Sequence, residues 1–385
     1  MRAPGGWPPV IAHAVVTAVT QVLWLTYTPI TTDAADSYGV STTAVTWLAN
    51  IYPVLYFVLA IPVGMALDRH PRPILVAGAA LVMLSALLRL LTGSYGAALS
   101  GQLLGAVAQP ILFSGIVIVA RANLPEAQRP AGIAAGTAGA FAGVVLGLLL
   151  PTALADGTEL GTLLAVEAAL AVAAGSWQLA SLRRPIAHDL ADDLGAGALR
   201  TLWRDPAVRA LALVAFAGFG IFATLLTVLQ QLLEPRGIAH VTADRMVLAM
   251  TLCGIVASVT VPPLAARHGN ERRVLVAVSF GGALAAALLG FDLPVWALSA
   301  LLVAIGALLL PGLPILLELG ERRHAAAGGT VSSIVFLAGN LGVALLTIVS
   351  TALDASQWLP FVAIAAGALL ALTLARPGLA TLDQR

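Results

Sequence analysis

Twelve apolar stretches, each about 20 residues long, fill most of the chain, and that is the length a helix needs to cross roughly 30 Å of hydrocarbon. They lie near residues 10–31, 44–67, 73–92, 97–120, 131–154 and 161–182, then 207–233, 244–266, 273–292, 294–317, 326–352 and 357–375. A water-soluble core cannot absorb them. Hydrophobic residues make up 59% of the chain and charged ones 10%, against roughly a quarter charged in a soluble domain. Too few polar side chains remain to cover a water-facing surface. The pattern predicts an all-α integral membrane protein embedded in a lipid bilayer. Prolines inside the spans (Pro53, Pro62, Pro110, Pro262, Pro311 and Pro314) predict kinks, which membrane bundles tolerate.

Charge asymmetry predicts the orientation. All twenty basic residues are arginine. Taking the N-terminus and every second loop as one side collects seventeen of them; Arg236 and Arg245 fall on the other side, and Arg89 lies inside a span. The positive-inside rule then places both termini in the cytoplasm. Arg89, near the outer end of its span, is expected to snorkel to the interface. The lysine-free, Ala- and Leu-rich composition points to a bacterial cytoplasmic membrane. The first apolar stretch is too long for a cleavable leader and lacks a cleavage site, which predicts a retained first helix. The single Cys253 excludes an intrachain disulfide.

The layout reads as a six-helix half at 1–182, a cytoplasmic linker at 183–206 carrying short surface helices, and a second six-helix half at 207–385. GMALDRHPRPIL (64–75) follows span 2, and PPLAARHGNERRVL (262–275) follows span 8. Their Arg-His pairs are 198 residues apart, close to half the chain, as expected of two repeats related by an axis along the membrane normal.

The first span also carries Thr17, Thr20, Gln21, Trp24, Tyr27, Thr28 and Thr31. Their spacing of three and one residues is that of a single helix face. A helix dissolved in lipid has no use for such a stripe, so it predicts a helix lining a wet cavity or gripping a solute. Few ionisable groups lie in the apolar stretches. Glu167 sits a turn or two inside span 6, where it is expected at a wet rim and is the one candidate for proton coupling. Glu318 and Glu321 lie at the cytoplasmic edge of span 10.

Gly64-x-x-x-Asp68-Arg69-x-x-Arg72 resembles the loop signature of the major facilitator superfamily. Gly64 would let two helices approach closely, and Asp68 would sit at the positive N-terminal end of a neighbouring helix, span 11 near Ala326, as a conformational latch. In the second copy Ala266 stands in place of the aspartate. Span 5 carries Gly136, Gly139, Gly143 and Gly147, a small-residue face expected to pack against span 8. It lacks the proline that accompanies such glycines in the drug antiporters of that superfamily. Phosphate-binding loops, Cys/His clusters and nucleophile elbows are not seen, so the reading is of a protein that is not an enzyme and uses no cofactor or metal. Its partner would be a small-molecule substrate and not nucleic acid, and its state monomeric.

Three stretches resemble a narrower family: residues 24–69, GQLLGAVAQPILF (101–113) and PILLELGERRHAAAGGTVSSIVFLAGNLG (314–342). Together these are remotely similar to the feline leukaemia virus subgroup C receptor-related transporters, over about a quarter of the chain. The resemblance implies two six-helix halves around one cavity and transport of choline, ethanolamine or related amines; haem export and pyridoxine transport are also attributed to that family. It further implies a choline site built on a tryptophan of helix 1 and a glutamine of helix 4, which Trp24 and Gln109 match here. Asn340 stands where that family tends to have glutamine. An indole face attracts a quaternary ammonium without a buried carboxylate, and an amide can donate to or accept from a hydroxyl. Gln21, Tyr27 and Thr28 would complete the wall. Two departures leave the substrate open: span 7 carries Phe216, Phe219 and Phe222 and no tyrosine, and Ala140 and Phe141 replace an Asn-Gln pair. The leading expectation is alternating-access transport of a small amine or cation. The alternatives are efflux of drug-like or secreted metabolites by proton antiport, and a non-transporting receptor or assembly protein on the same fold.

Overall fold

The computed structural model describes residues 6–155, 160–183, 196–353, 356 and 358–383. Residues 184–195 of the expected linker, and Arg2, Arg184 and Arg385 of the arginine count, lie outside the described residues. Regular structure among the described residues is helical throughout. The first seven helices are α1 (Trp7–Leu25), α2 (Thr31–Tyr38), α3 (Thr42–Arg69), α4 (Pro71–Arg89), α5 (Tyr95–Asn123), α6 (Arg129–Ala155) and α7 (Leu160–Ser181). A short helix α8 (Ala196–Arg204) precedes α9 (Pro206–Leu233), α10 (His240–Arg267) and α11 (Glu271–Leu288). The chain closes with α12 (Val295–Leu309), α13 (Gly312–Arg323), α14 (Gly328–Ala352) and α15 (Leu359–Ala380). Among the described residues, eleven helical runs are long and apolar enough to span a membrane, with α12 and α13 forming one run. The twelfth span is α11, whose first turn holds Glu271, Arg272 and Arg273.

Local chemistry starts these helices. Ser41 and Ser94 accept hydrogen bonds from Ala44 N and Ala97 N at 3.2 Å, and Asp205 accepts from Ala207 N at 2.9 Å, each filling an orphan donor of a first helical turn. Proline opens α4 and α9, where its missing N–H removes no helix bond. Two spans depart from the sequence expectation. The first does not run on to Thr31: α1 ends at Leu25, and a turn through Pro29 leads into α2. The tenth is interrupted at Leu310 and Pro311.

Large apolar side chains cover the outside. Val58, Val256, Leu284, Ile348 and Leu370 are all more than 60% exposed, while Gln21, Gln102, Gln109, Gln178, Arg89 and Glu167 are buried. That inversion is what a lipid solvent selects.

The chain divides into two compact units, Met1–Asp192 with Ala326–Ser333, and Asp193–Ala325 with Ile334–Arg385. In the first, α1 runs along the glycine face of α6. A Cβ on Gly139 would lie 2.7 Å from Ala14 O, and one on Gly143 would collide with the Ala18 carbonyl. The expectation that these glycines pack against span 8 is therefore corrected: Gly139, Gly143 and Gly147 face α1, and Gly136 faces Ile116 of α5. A stripe of small residues fixes how closely a helix can approach, not which helix does so, and α1 supplies the matching Ala14 and Ala18. In the second unit, Gly306 of α12 meets the backbone of Met250 on α10 in the same manner.

Candidate functional site

The polar interior of the first unit is built on α1. Trp24, half-buried one residue before the end of that helix, donates from Nε1 to Ala49 O of α3 at 2.9 Å. Its ring stacks on Tyr52, with centroids 6.2 Å apart and planes 30° apart. Tyr52 in turn donates to Gln102 Oε1 on α5 at 3.3 Å. One turn earlier on α1, Gln21 Oε1 accepts from Gln109 Nε2 at 3.4 Å. Gln21 is 2% and Gln109 6% exposed, and Gln21 Nε2 has no hydrogen-bond partner among the described residues. Trp24, Gln21 and Gln109 thus lie together, on α1 and α5.

The seven-residue stripe does not survive as one face. Thr17 and Thr20 are fully buried and donate to His13 O and Val16 O of their own helix. Because α1 stops at Leu25, Tyr27, Thr28 and Thr31 follow a different path. Thr28 is exposed, Thr31 donates to Tyr27 O and Thr28 O, and Tyr27 turns inward to 1% exposure.

Beneath Tyr27 lies an ion pair that periodicity could not reveal. Arg89 Nη2 meets Glu167 Oε2 at 3.0 Å, with both side chains 1% exposed. Arg89 also donates from Nη1 to Leu23 O at 3.3 Å and from Nε to Tyr27 Oη at 3.4 Å, and its guanidinium carbon lies 5.0 Å from the Tyr27 ring centroid. Thr26 Oγ1 is 2.9 Å from both Glu167 oxygens, and Tyr27 and Tyr38 share a hydroxyl contact at 3.1 Å. Two expectations are corrected here. Arg89 does not snorkel, and Glu167 does not face a wet rim; each is buried because the other neutralises it. His13 was also missed: its Nε2 lies 2.9 Å from Leu112 O and its Nδ1 3.2 Å from Gln178 Nε2. The carbonyl can only accept, so Nε2 carries the proton and Nδ1 accepts, which assigns a neutral ring.

At the arginine-rich end of the first unit, Asp68 lies in the last turn of α3 and is 3% exposed, not in a solvated loop. It accepts from Gly329 N at 2.6 Å, Thr330 N at 2.8 Å and Thr330 Oγ1 at 2.6 Å, within the opening turn of α14. A Cβ on Gly64 would lie 2.7 Å from Gly329 O and 2.9 Å from Thr330 Cα, so glycine is what lets the two backbones meet. Arg69 is exposed at the end of α3. Arg72 donates from Nε to Leu182 O at 2.9 Å, tying α4 to the end of α7.

The second unit holds Asn340, which donates to Phe336 O of its own helix at 2.8 Å. Its charged end is a hub on Asp205, which accepts from Arg323 Nε at 2.7 Å and lies 2.8 Å from His324 Nε2. Burial alone would push the Asp205 carboxyl up, but hydrogen bonds from Arg323, Ala207 and His324 outweigh it and hold the carboxyl down at about 2. Arg322 bridges Glu271 at 2.8 Å and also contacts Glu318.

Twelve membrane-spanning helices in two units, each with buried polar side chains and an apolar exterior, define a polytopic membrane protein of the transporter type. Residues 11–347 match the Major Facilitator Superfamily, and the chain belongs to that family. Solved structures share the fold at low identity. The human organic anion transporter MFSD10 superposes with a TM-score of 0.74 at 19% identity, over 95% of this chain and 99% of that one. A bacterial homologue of the iron transporter ferroportin in its outward-facing state gives 0.73 at 16%, over 98% and 99%. The E. coli fucose:proton symporter FucP gives 0.72 at 16%, over 96% and 97%. An uncharacterized protein of Archaeoglobus fulgidus is 27% identical over 139 residues, 36% of this chain; the match spans 64% of that relative's length.

Proposed function

We propose that the chain is a secondary transporter that moves a small organic solute across the cytoplasmic membrane by alternating access, with both termini in the cytoplasm. The solute class is a small amine or cation such as choline. The observation that carries this reading is the state of Trp24. Its N–H is occupied by Ala49 O, so the group it offers a solute is its π face, which favours a cation. The neighbouring Gln21 and Gln109 supply amide groups for a hydroxyl, and the resemblance to the choline-transporting family points the same way. Trp24→Ala should weaken choline binding by about 1–2 kcal/mol, and Trp24→Phe should retain part of it. Titration calorimetry of the purified variants measures this; unchanged affinity in a folded Trp24→Ala protein refutes the site.

The transport is driven by membrane potential and not by a proton gradient. A coupling carboxylate must take up and release its proton during the cycle. Glu167 is held instead by Arg89 from α4 and Thr26 from the α1 turn, with Tyr27 and Tyr38 beside it. A monovalent cation gains about 2.3 kcal/mol per 100 mV on entry. Choline uptake into proteoliposomes should follow an imposed inside-negative potential and ignore a pH step. Stimulation by the pH step at zero potential, abolished in Glu167→Gln, would favour a proton antiporter exporting drug-like metabolites.

Asp68 acts in this scheme as a latch. Its three hydrogen bonds secure the first turn of α14 in the conformation seen here, and Gly64 lets α3 come close enough to make them.

A further inference from the structure

We propose that Arg89 and Glu167 are positioning residues for Trp24: the pair closes the C-terminal end of α1 and so sets the indole ring against Tyr52. The inference rests on the reading of Trp24 as the solute-gripping group.

The last four carbonyls of a helix have no partner inside it, and the chain at the end of α1 is buried at Leu23, Thr26 and Tyr27. Arg89 supplies a donor to one of them, Leu23 O, immediately before Trp24. Its cationic head also complements the negative end of the α1 dipole. Thr26, two residues beyond Trp24, is within hydrogen-bond distance of Val22 O, Leu23 O and both oxygens of Glu167. Tyr27 is gripped by ring and hydroxyl together. Among the described residues, the pair's hydrogen bonds and ring contact on the α1 segment fall on residues 23, 26 and 27, which bracket Trp24, while the pair itself is 1% exposed and out of reach of a solute. The chain turns away at this point toward α2. With residues 23, 26 and 27 released, the last turn of α1 can fray, and the ring loses the backbone geometry that aims Nε1 at Ala49 O.

A buried ion pair is not by itself evidence of stability, because apolar side chains of similar volume often replace one at no loss. That separates positioning from bulk stability. The test measures acrylamide quenching of the Trp24 fluorescence component, taken as the difference between each full-length protein and the same protein carrying Trp24→Phe; the six other tryptophans cancel. The proteins compared are the natural chain, Arg89→Met/Glu167→Leu, and Arg89→Lys, which keeps the charge but loses the planar fork. The apolar double variant should keep its melting temperature, show severalfold stronger Trp24 quenching, and raise the KM for choline uptake about tenfold with less change in kcat. Arg89→Lys should fall between. An apolar double variant with natural Trp24 quenching overturns the proposal. Should that variant not purify, Arg89→Lys decides: raised quenching supports the role and natural quenching overturns it. Quenching is read without solute, so raised quenching beside a failed choline measurement refutes the proposed solute and leaves the positioning role standing.

Discussion

Replacing Arg89 alone by leucine is expected to destabilise the protein by about 3–5 kcal/mol, the range found when one partner of a buried ion pair is removed. The substitution strands a buried Glu167 whose only other hydrogen-bond partner among the described residues is the Thr26 hydroxyl. It also uncovers Leu23 O and removes the cation from the Tyr27 ring. Glu167→Gln should do less harm. The guanidinium then keeps Tyr27, Leu23 O and an amide oxygen in place of the carboxylate, and an amide avoids an uncompensated negative charge, although a positive one remains. The order expected in a thermal melt of the solubilised protein is natural chain above Glu167→Gln above Arg89→Leu. A melt in which Arg89→Leu matches the natural chain would mean that no buried charge is stranded, because water or lipid headgroups reach Glu167.

That pair marks the limit of what the sequence could reveal. The membrane class and the span count were legible because an apolar run of about 20 residues is set by bilayer thickness and by nothing else. Gly64 and Asp68 were legible through the resemblance of Gly64-x-x-x-Asp68-Arg69-x-x-Arg72 to a family signature, although Asp68 closes α3 and does not lie in a loop. Trp24 and Gln21 were named from a local stripe and Gln109 from the family resemblance, and the structure brings these three together on neighbouring helices. Arg89 and Glu167 lie 78 residues apart in the chain. Each, read alone, is an isolated charge in an apolar run, for which snorkelling or a wet rim is the cheaper answer. The end of α1 was hidden for the same reason. Val22 to Ile30 reads as a continuation of the helix until a donor from α4 is seen at Leu23 O, and Pro29, which disfavours helical backbone at the residue before it, was the one local warning. The glycines of α6 announced a close contact but could not name α1 as its partner.

Asp68→Asn is expected to lower transport turnover about 10- to 100-fold while leaving solute affinity within a few fold, the loss matching one charge-assisted hydrogen bond at about 1.5–3 kcal/mol. The carboxylate accepts three hydrogen bonds at once, two of them from the backbone N–H groups of Gly329 and Thr330, where the positive end of the α14 dipole favours an anion. An amide in its place has a single acceptor oxygen. In either orientation its NH2 group would face a backbone N–H, of Gly329 or of Thr330, which cannot accept from it, so one of these contacts turns from attractive to repulsive. The site lies at the far end of α3 from Ala49 and Tyr52, the partners of Trp24, across more than a dozen residues of helix. Damage there has no direct route to the solute. On the proposed latch reading it would act on the equilibrium between a conformation in which α14 is latched and one in which it is free, and a carrier slows when either becomes too stable or too rare. Gly64→Ala should act in the same direction by a different route, since its Cβ would push Gly329 and Thr330 away from Asp68. Uptake rates and equilibrium binding, measured on the same reconstituted protein, separate the two effects. If Asp68→Asn abolished binding with turnover per bound solute intact, Asp68 would belong to the solute site and the latch would have to be sought elsewhere.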